Sequence, residues 1–254
     1  MSKLILLDIF SYSCMNCLRS LEFIKKIDKK YGNFGLETIL IHPPEWSFEK
    51  NSNNIINAMK KYRISLPMVI DKNKKILKKL KINFWPTQIL INNGKTLYKH
   101  IGEGNYKELE YAIMKNLNIR SKNIFYEEPK YSKFPTVYCG KSKKGVIKKT
   151  NEDKKLRFGI NYIDDSWIQK QEYIKSLKNK SSLTISTKGK MINFVAESLN
   201  KNPVKITVKL NDKSIKKLVV NNPKLYYIAK LKGRAEKMTI IAPKNVAIYS
   251  FSFQ

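Results

Sequence analysis

The chain has 254 residues, 42% hydrophobic and 28% charged, with 50 Lys+Arg against 20 Asp+Glu and a net charge of +30. That apolar fraction builds packed cores and excludes wholesale disorder, while the longest apolar runs, such as Leu4 to Leu7, fall far short of the ~20 residues that span a bilayer. Three cysteines exclude a disulfide-dense secreted scaffold, and Lys spread along the whole chain with only five Arg reads as a solvated surface rather than a specific nucleic-acid interface.

Residues 3–11 form a short continuous apolar run, the pattern of a buried strand. Leu18, Leu21, Phe23, Ile24 and Ile27 then recur at helical spacing from Asn16 to Tyr31, and Gly32 ends the segment. A strand is expected at Leu36 to His42, a helix at Phe48 to Tyr62 and a strand at Met68 to Ile70. A Lys-rich helix at Asn73 to Leu80 and a strand at Thr87 to Ile91 follow. Asn92-Asn93-Gly94 signals a hairpin into Thr96 to Ile101, and a last helix covers Tyr106 to Leu117. The order β-α-β-α-β-α-β-β-α is that of an α/β unit whose parallel strands end in a hairpin. It is expected to occupy residues 1–119.

Residues 120–154 hold little periodicity and read as a linker. From Leu156 the pattern changes to alternating runs at 156–163, 182–188, 191–198, 204–210, 214–220, 225–231, 237–242 and 246–253. Period-2 runs separated by Gly, Pro and Asn turns predict an all-β sandwich over 155–254.

Cys14-Met15-Asn16-Cys17 falls where the first strand meets the first helix. Two cysteines one helical turn apart can bring their sulfurs into bonding range. Cys14 sits where unpaired N–H groups and the helix dipole favour an anion, so it is expected to attack as a thiolate, with Cys17 resolving the mixed disulfide. A zinc half-site or two buried structural thiols are the alternatives. Zinc needs about two more ligands, and only Cys139, His42 and His100 are available, none in a matching pair. No metal and no cofactor are therefore expected. Cys139 reads as a lone thiol and His100 as a surface residue.

The run Asp8 to Arg19, with its Tyr-Ser-Cys-x-Asn-Cys-x-Arg pattern, resembles the active-site stretch of thioredoxin-fold proteins of the DipZ/TlpA-like branch. Ile41-His42-Pro43-Pro44-Glu45-Trp46-Ser47-Phe48-Glu49 is similar to that branch's His-x-Pro-Glu segment, Phe84-Trp85-Pro86-Thr87 to its Trp-Pro loop, and Gly102-Glu103-Gly104-Asn105-Tyr106 to its Gly-Glu-Gly-x-Tyr turn. The second half resembles the sandwich appended in DipZ-type proteins, at Pro223 to Tyr226 and Ala247 to Phe253. Met15-Asn16 stand where thioredoxin has Gly-Pro, and the membrane domain of DipZ proteins has no counterpart.

The resemblance implies a thioredoxin fold followed by a β-sandwich, with Pro86 as a cis-proline that lets the Trp85 backbone meet an incoming substrate strand. It also implies that Asp8, six positions before Cys14, is a buried acid that accepts the Cys17 proton. Glu45, placed after the second strand, is expected to assist or replace Asp8; His42 reads either as a satisfied strand-end histidine or as a group that orients Glu45. Tyr12, Trp46 and Trp85 are expected as an apolar collar for substrate, with simple core aromatics as the alternative. The function read from these residues is exchange of disulfides with protein dithiol or disulfide substrates, in the reducing direction, with an unidentified electron donor. A sandwich that binds a glycan or partner protein is the alternative, and its only Trp is Trp167. Peroxidase chemistry lacks the Pro-x-x-x-Thr-x-x-Cys context. With no visible secretory signal the expected location is cytoplasmic, or extracytoplasmic if a leader or membrane domain was removed. The Lys surface attracts acidic partners only non-specifically.

Overall fold

The computed structural model describes residues 4–120, 134–150, 152 and 155–254. The chain divides into two compact units, Met1–Lys130 and Tyr131–Gln254. Among the described residues no helix is long and apolar enough to cross a membrane.

The first unit is a five-stranded sheet covered by helices. Strands β1 (Leu4–Ile9), β2 (Leu36–His42), β3 (Met68–Ile70), β4 (Thr87–Asn92) and β5 (Lys95–Ile101) lie in the order β3-β2-β1-β4-β5. β1, β2 and β3 run parallel, and β4 is antiparallel to both β1 and β5. Helices α1 (Met15–Tyr31), α2 (Ser52–Lys61), α3 (Lys75–Lys79) and α4 (Tyr106–Asn116) complete it. This is the thioredoxin fold expected from the sequence.

Its packing follows from side-chain spacing. Cys17, Leu21, Ile24 and Ile27 recur on the buried face of α1. The Phe23 and Tyr106 rings stack 4.2 Å apart, joining α1 to α4. Under α3, Ile9, Ile41, Leu77, Ile82 and Ile89 form one apolar cluster. The β4–β5 turn has φ of 47° at Asn93 and 73° at Gly94, the positive pair that an Asn-Gly hairpin supplies at least cost. The helix expected over Phe48 to Tyr62 is interrupted. Ser47–Lys50 is a 3₁₀ turn, and Asn51 then caps α2 by accepting the Asn53 N–H at 2.9 Å. Helical spacing alone does not reveal this break, because Asn51 also fits a polar helix face.

The second unit is built from two six-stranded sheets. One has the order β15 (Lys224–Gly233), β12 (Gly189–Ser198), β17 (Val246–Phe253), β10 (Ile174–Ser176) and β9 (Trp167–Gln169), with β6 (Val137–Tyr138) also paired to β17. The other runs β14 (Lys213–Val220), β13 (Val204–Leu210), β16 (Lys237–Ala242), β11 (Ser181–Ser186), β8 (Ile160–Ile163) and β7 (Val146–Lys149). Both sheets contribute to one core, for example Ile192, Phe194 and Ile248 from the first and Ile185, Val208 and Ile240 from the second. The arrangement is a sandwich.

Residues 134–150, expected as part of a linker, instead enter this sandwich. β6 pairs with β17 and β7 with β8. Two- and four-residue strands carry too few side chains to show alternation, and β9 and β10 escape the sequence pattern for the same reason. The strand expected from 156 begins only at Ile160, after Gly159 turns the chain at φ 90°.

Candidate active site

Cys14 is the N-cap of α1, with extended backbone at φ −84° and ψ 117°. Its N–H donates to the Ser11 carbonyl at 3.2 Å, its carbonyl accepts from the Leu18 N–H at 3.1 Å, and its Sγ accepts the Cys17 N–H at 3.3 Å. The side chain thus takes the place that a Ser or Asp oxygen fills in an ordinary cap. Cys14 is half-buried, whereas Cys17, one turn behind it, is fully buried. Both are free thiols. Burial pushes the Cys17 thiol well up, helped by the hydrogen bond and charge of Cys14 and by the charge of Glu45.

Asp8 lies in β1 and is fully buried. Gln88 Nε2 donates to its Oδ1 at 2.8 Å and also reaches Ser20 Oγ on α1 at 3.1 Å, while among the described residues Asp8 Oδ2 has no hydrogen-bond partner. Burial raises its carboxyl from 3.8 to about 7, with the Gln88 bond opposing the shift.

The Trp85–Pro86 peptide bond is cis. Thr87 Oγ1 donates to the Phe84 carbonyl at 2.7 Å, and the Pro86 carbonyl accepts the Gly102 N–H at 2.8 Å, so the loop is held from both sides. Trp85 is half-buried, donates Nε1–H to Glu45 Oε2 at 3.2 Å, and carries Lys74 Nζ 5.2 Å from its ring centroid. Glu45 and Trp85 are therefore in direct contact, and Glu45 acts electrostatically on Cys17.

Three expectations are corrected. Tyr12 and Trp46 are each 2% exposed and lie in the core, so neither presents a ring to substrate. His42 does not orient Glu45: among the described residues neither ring nitrogen has a hydrogen-bond partner. Its ring stacks on Tyr12 at 5.4 Å and meets Phe10 edge-on at 5.6 Å, and burial lowers it to about 4, so it is neutral. Beside Trp85, Phe84 is 67% exposed, a surface aromatic the sequence reading did not single out.

Three further residues organise the site. Glu49, in the 3₁₀ turn, is fully buried. Its Oε1 accepts the hydroxyls of Ser11 and Ser13, each at 2.7 Å, and its Oε2 accepts the N–H groups of Glu45 and Trp46. Burial pushes this carboxyl up, and all four bonds pull it back. Arg19 grips Glu103 with two parallel bonds, Nε to Oε1 at 2.6 Å and Nη2 to Oε2, and also donates to Asn16 Oδ1 at 2.7 Å. This fork ties the Cys-x-Arg end of the first motif to the Gly-Glu-Gly turn before α4. Both acids stood inside motifs quoted from the sequence. No local signal marks Glu49 as buried, since Lys50, Asn51 and Ser52 follow it directly.

Cys139 lies in the sandwich core, fully buried, with Sγ 3.4 Å from Asn161 Oδ1, and burial pushes its thiol up. Among the described residues no three His, Cys, Asp or Glu come together as a metal site. A cleft of about 410 Å³ is lined by Asp28, Leu36, Thr38 and Pro67 at the start of β2, the opposite end from His42, and it does not belong to the dithiol.

Residues 2–97 match the family described as thioredoxin-like, and residues 142–253 the family described as thioredoxin like C-terminal domain. The chloroplastic protein Suppressor of Quenching 1 of Arabidopsis thaliana is 32% identical over 129 residues, 50% of this chain and 12% of that protein. Protein DipZ of Mycobacterium tuberculosis is 30% identical over 137 residues, 53% of this chain and 20% of DipZ. The thiol-disulfide oxidoreductase ResA of Bacillus cereus is 28% identical over 114 residues, 44% of this chain and 63% of ResA. The chain thus spans only a small part of the first two relatives. It carries a thioredoxin-like domain followed by a thioredoxin-like C-terminal domain, in distant homology to DipZ and to the thiol-disulfide oxidoreductase ResA.

Proposed function

We propose that the chain reduces protein disulfides through Cys14 and Cys17. The observation that carries this reading is a half-buried sulfur at a helix N-cap, bonded to the backbone of a second, buried cysteine one turn on. The Cys14 thiolate attacks one sulfur of a substrate disulfide, forming a mixed disulfide and releasing the first substrate thiolate. Cys17 then loses its proton to Asp8 and attacks the Cys14 sulfur, releasing the second substrate thiolate and leaving a Cys14–Cys17 disulfide. The substrate gains the two electrons that the dithiol loses, and a thiol donor restores the dithiol.

The reducing direction is supported by the raised Cys17 thiol. Once deprotonated, such a thiolate is a stronger nucleophile and a poorer leaving group than an ordinary substrate thiolate. The half-buried Trp85, held by its cis bond to the buried Pro86, and the exposed Phe84 beside it are the proposed substrate contact. Trp167, at 4% exposure, lies in the sandwich core and offers no sugar platform.

The reduced chain mixed with insulin or a fluorescent peptide disulfide tests the proposal. The expected result is loss of the Cys14 and Cys17 thiols in step with substrate reduction, with the Cys139 thiol retained, read by mass after alkylation. Substrate consumption no faster than by a free thiol would remove the proposal.

Glu45 is assigned the electrostatic part. Glu45→Gln keeps an acceptor for the Trp85 indole and removes a charge that adds to burial and to Cys14 in raising Cys17. The Cys17 ionisation midpoint, followed by ultraviolet thiolate absorbance, should move down. An unchanged midpoint would show that the Glu45 charge does not act on Cys17.

A further inference from the structure

We infer that Glu49 is a positioning residue for the dithiol, clasping the loop that precedes Cys14 to the loop that carries Glu45. The inference rests on the exchange reaction proposed above and adds a residue to its machinery.

The argument starts from the cost of burying a carboxylate. Glu49 has 0% exposure, and among the described residues no cation pairs with it. An uncompensated buried charge is strongly unfavourable, so the fold must satisfy it with hydrogen bonds. It does so with four donors, two on each oxygen. Ser11 and Ser13 have one hydroxyl proton each, and both are directed at Oε1. The other oxygen takes backbone N–H groups, which cannot turn away.

The consequence for the reacting sulfur follows from what those donors hold. The Ser11 carbonyl accepts the Cys14 N–H, and Ser13 is the residue before Cys14. Fixing both serines therefore fixes the extended cap conformation that aims Cys14 Sγ at the Cys17 N–H. On the other side, Glu49 holds the N–H of Glu45, the carboxylate that acts on Cys17 and bonds Trp85. One carboxylate thus anchors the two segments that flank the dithiol. An apolar side chain of the same size fills the space but leaves four donors unpaired.

Glutamine can substitute: its oxygen accepts the two N–H groups, and its NH₂ faces serine hydroxyls that reverse to accept. Alanine cannot. The test compares Glu49→Gln, Glu49→Ala and the double variant Ser11→Ala/Ser13→Ala in the full chain, measuring attack by Cys14 on a small aromatic disulfide and on a peptide disulfide. Displacing a nucleophile by about 1 Å costs about a hundredfold in rate. That loss is expected for Glu49→Ala and for the serine pair, equally on both disulfides and with KM for the peptide unchanged. Glu49→Gln should recover most of it. If Glu49→Ala fails to fold, the serine pair and Glu49→Gln decide. A folded serine-pair variant that attacks at the wild-type rate overturns the inference, as does a folded Glu49→Gln as slow as Glu49→Ala. Wild-type protein inert toward both disulfides would sink the exchange reaction itself, and the inference with it.

Discussion

Cys17→Ser is expected to trap the chain on its substrate as a stable mixed disulfide through Cys14. Cys14 is half-buried and at the helix cap, so its attack does not need Cys17 to be a thiol. Release does need it, because only a second sulfur held one turn behind converts the escape step into an intramolecular one. Losing that proximity costs about a thousandfold in turnover, since a dissolved thiol must replace a neighbour of very high effective concentration. A mass adduct equal to one substrate chain, removed by dithiothreitol, is the signature. Cys14→Ser should show neither adduct nor turnover. Cys139, buried in the second unit, cannot take over. Wild-type turnover by Cys17→Ser would overturn the division of roles between the two sulfurs.

The second large effect concerns Asp8, where stability and activity are expected to move in opposite directions. Its carboxyl is raised from 3.8 to about 7 by burial. Between those values the folded chain keeps a proton that the unfolded chain has lost, so stability falls as pH rises through the window and the penalty is complete above about 7. It amounts to roughly 4 kcal/mol. Asp8→Asn cannot ionise and keeps the Oδ1 acceptor for Gln88. Its NH₂ stands where Oδ2 has no partner, which gives back about 2 kcal/mol. The variant should therefore be about 2 kcal/mol more stable than wild type near pH 8 and no more stable near pH 4, by urea unfolding at the two values. Its resolving step should slow about a hundredfold through loss of a general base. Equal urea midpoints at both pH values would mean that Asp8 is not held protonated. A normal resolving rate in Asp8→Asn would pass the proton to Glu45, whose charge already reaches Cys17.

Much of the first unit was legible because its signals are local. β1, α1 and the turn at Asn93-Gly94 follow from runs, caps and positive-φ residues that a few neighbours specify. The site motifs were legible through the resemblance, and the structure places Glu45 against Trp85 and Arg19 against Glu103, pairs that lie 40 and 84 positions apart. What was not legible was which way the aromatics face. Tyr12 and Trp46 look the same in sequence whether they line a substrate surface or sit beneath it. In the second unit, β6, β7, β9 and β10 are too short to show a period; β6 and β10 become strands on the edge of the longer β17, and β7 and β9 then extend the sheets on β8 and β10.

The sequence by itself determined the order of elements in the first unit, the change to alternating strands in the second, and the two cysteines at a strand–helix junction. These depend on the chemistry of adjacent residues and on spacing along the chain. Only the tertiary structure decided that Glu49 would be fully buried with four donors, that His42 would lie neutral between two rings, and that residues 137–149 would complete a sandwich. Burial and hydrogen-bond satisfaction are set by what arrives from distant parts of the chain, and a side chain's own identity does not specify those neighbours.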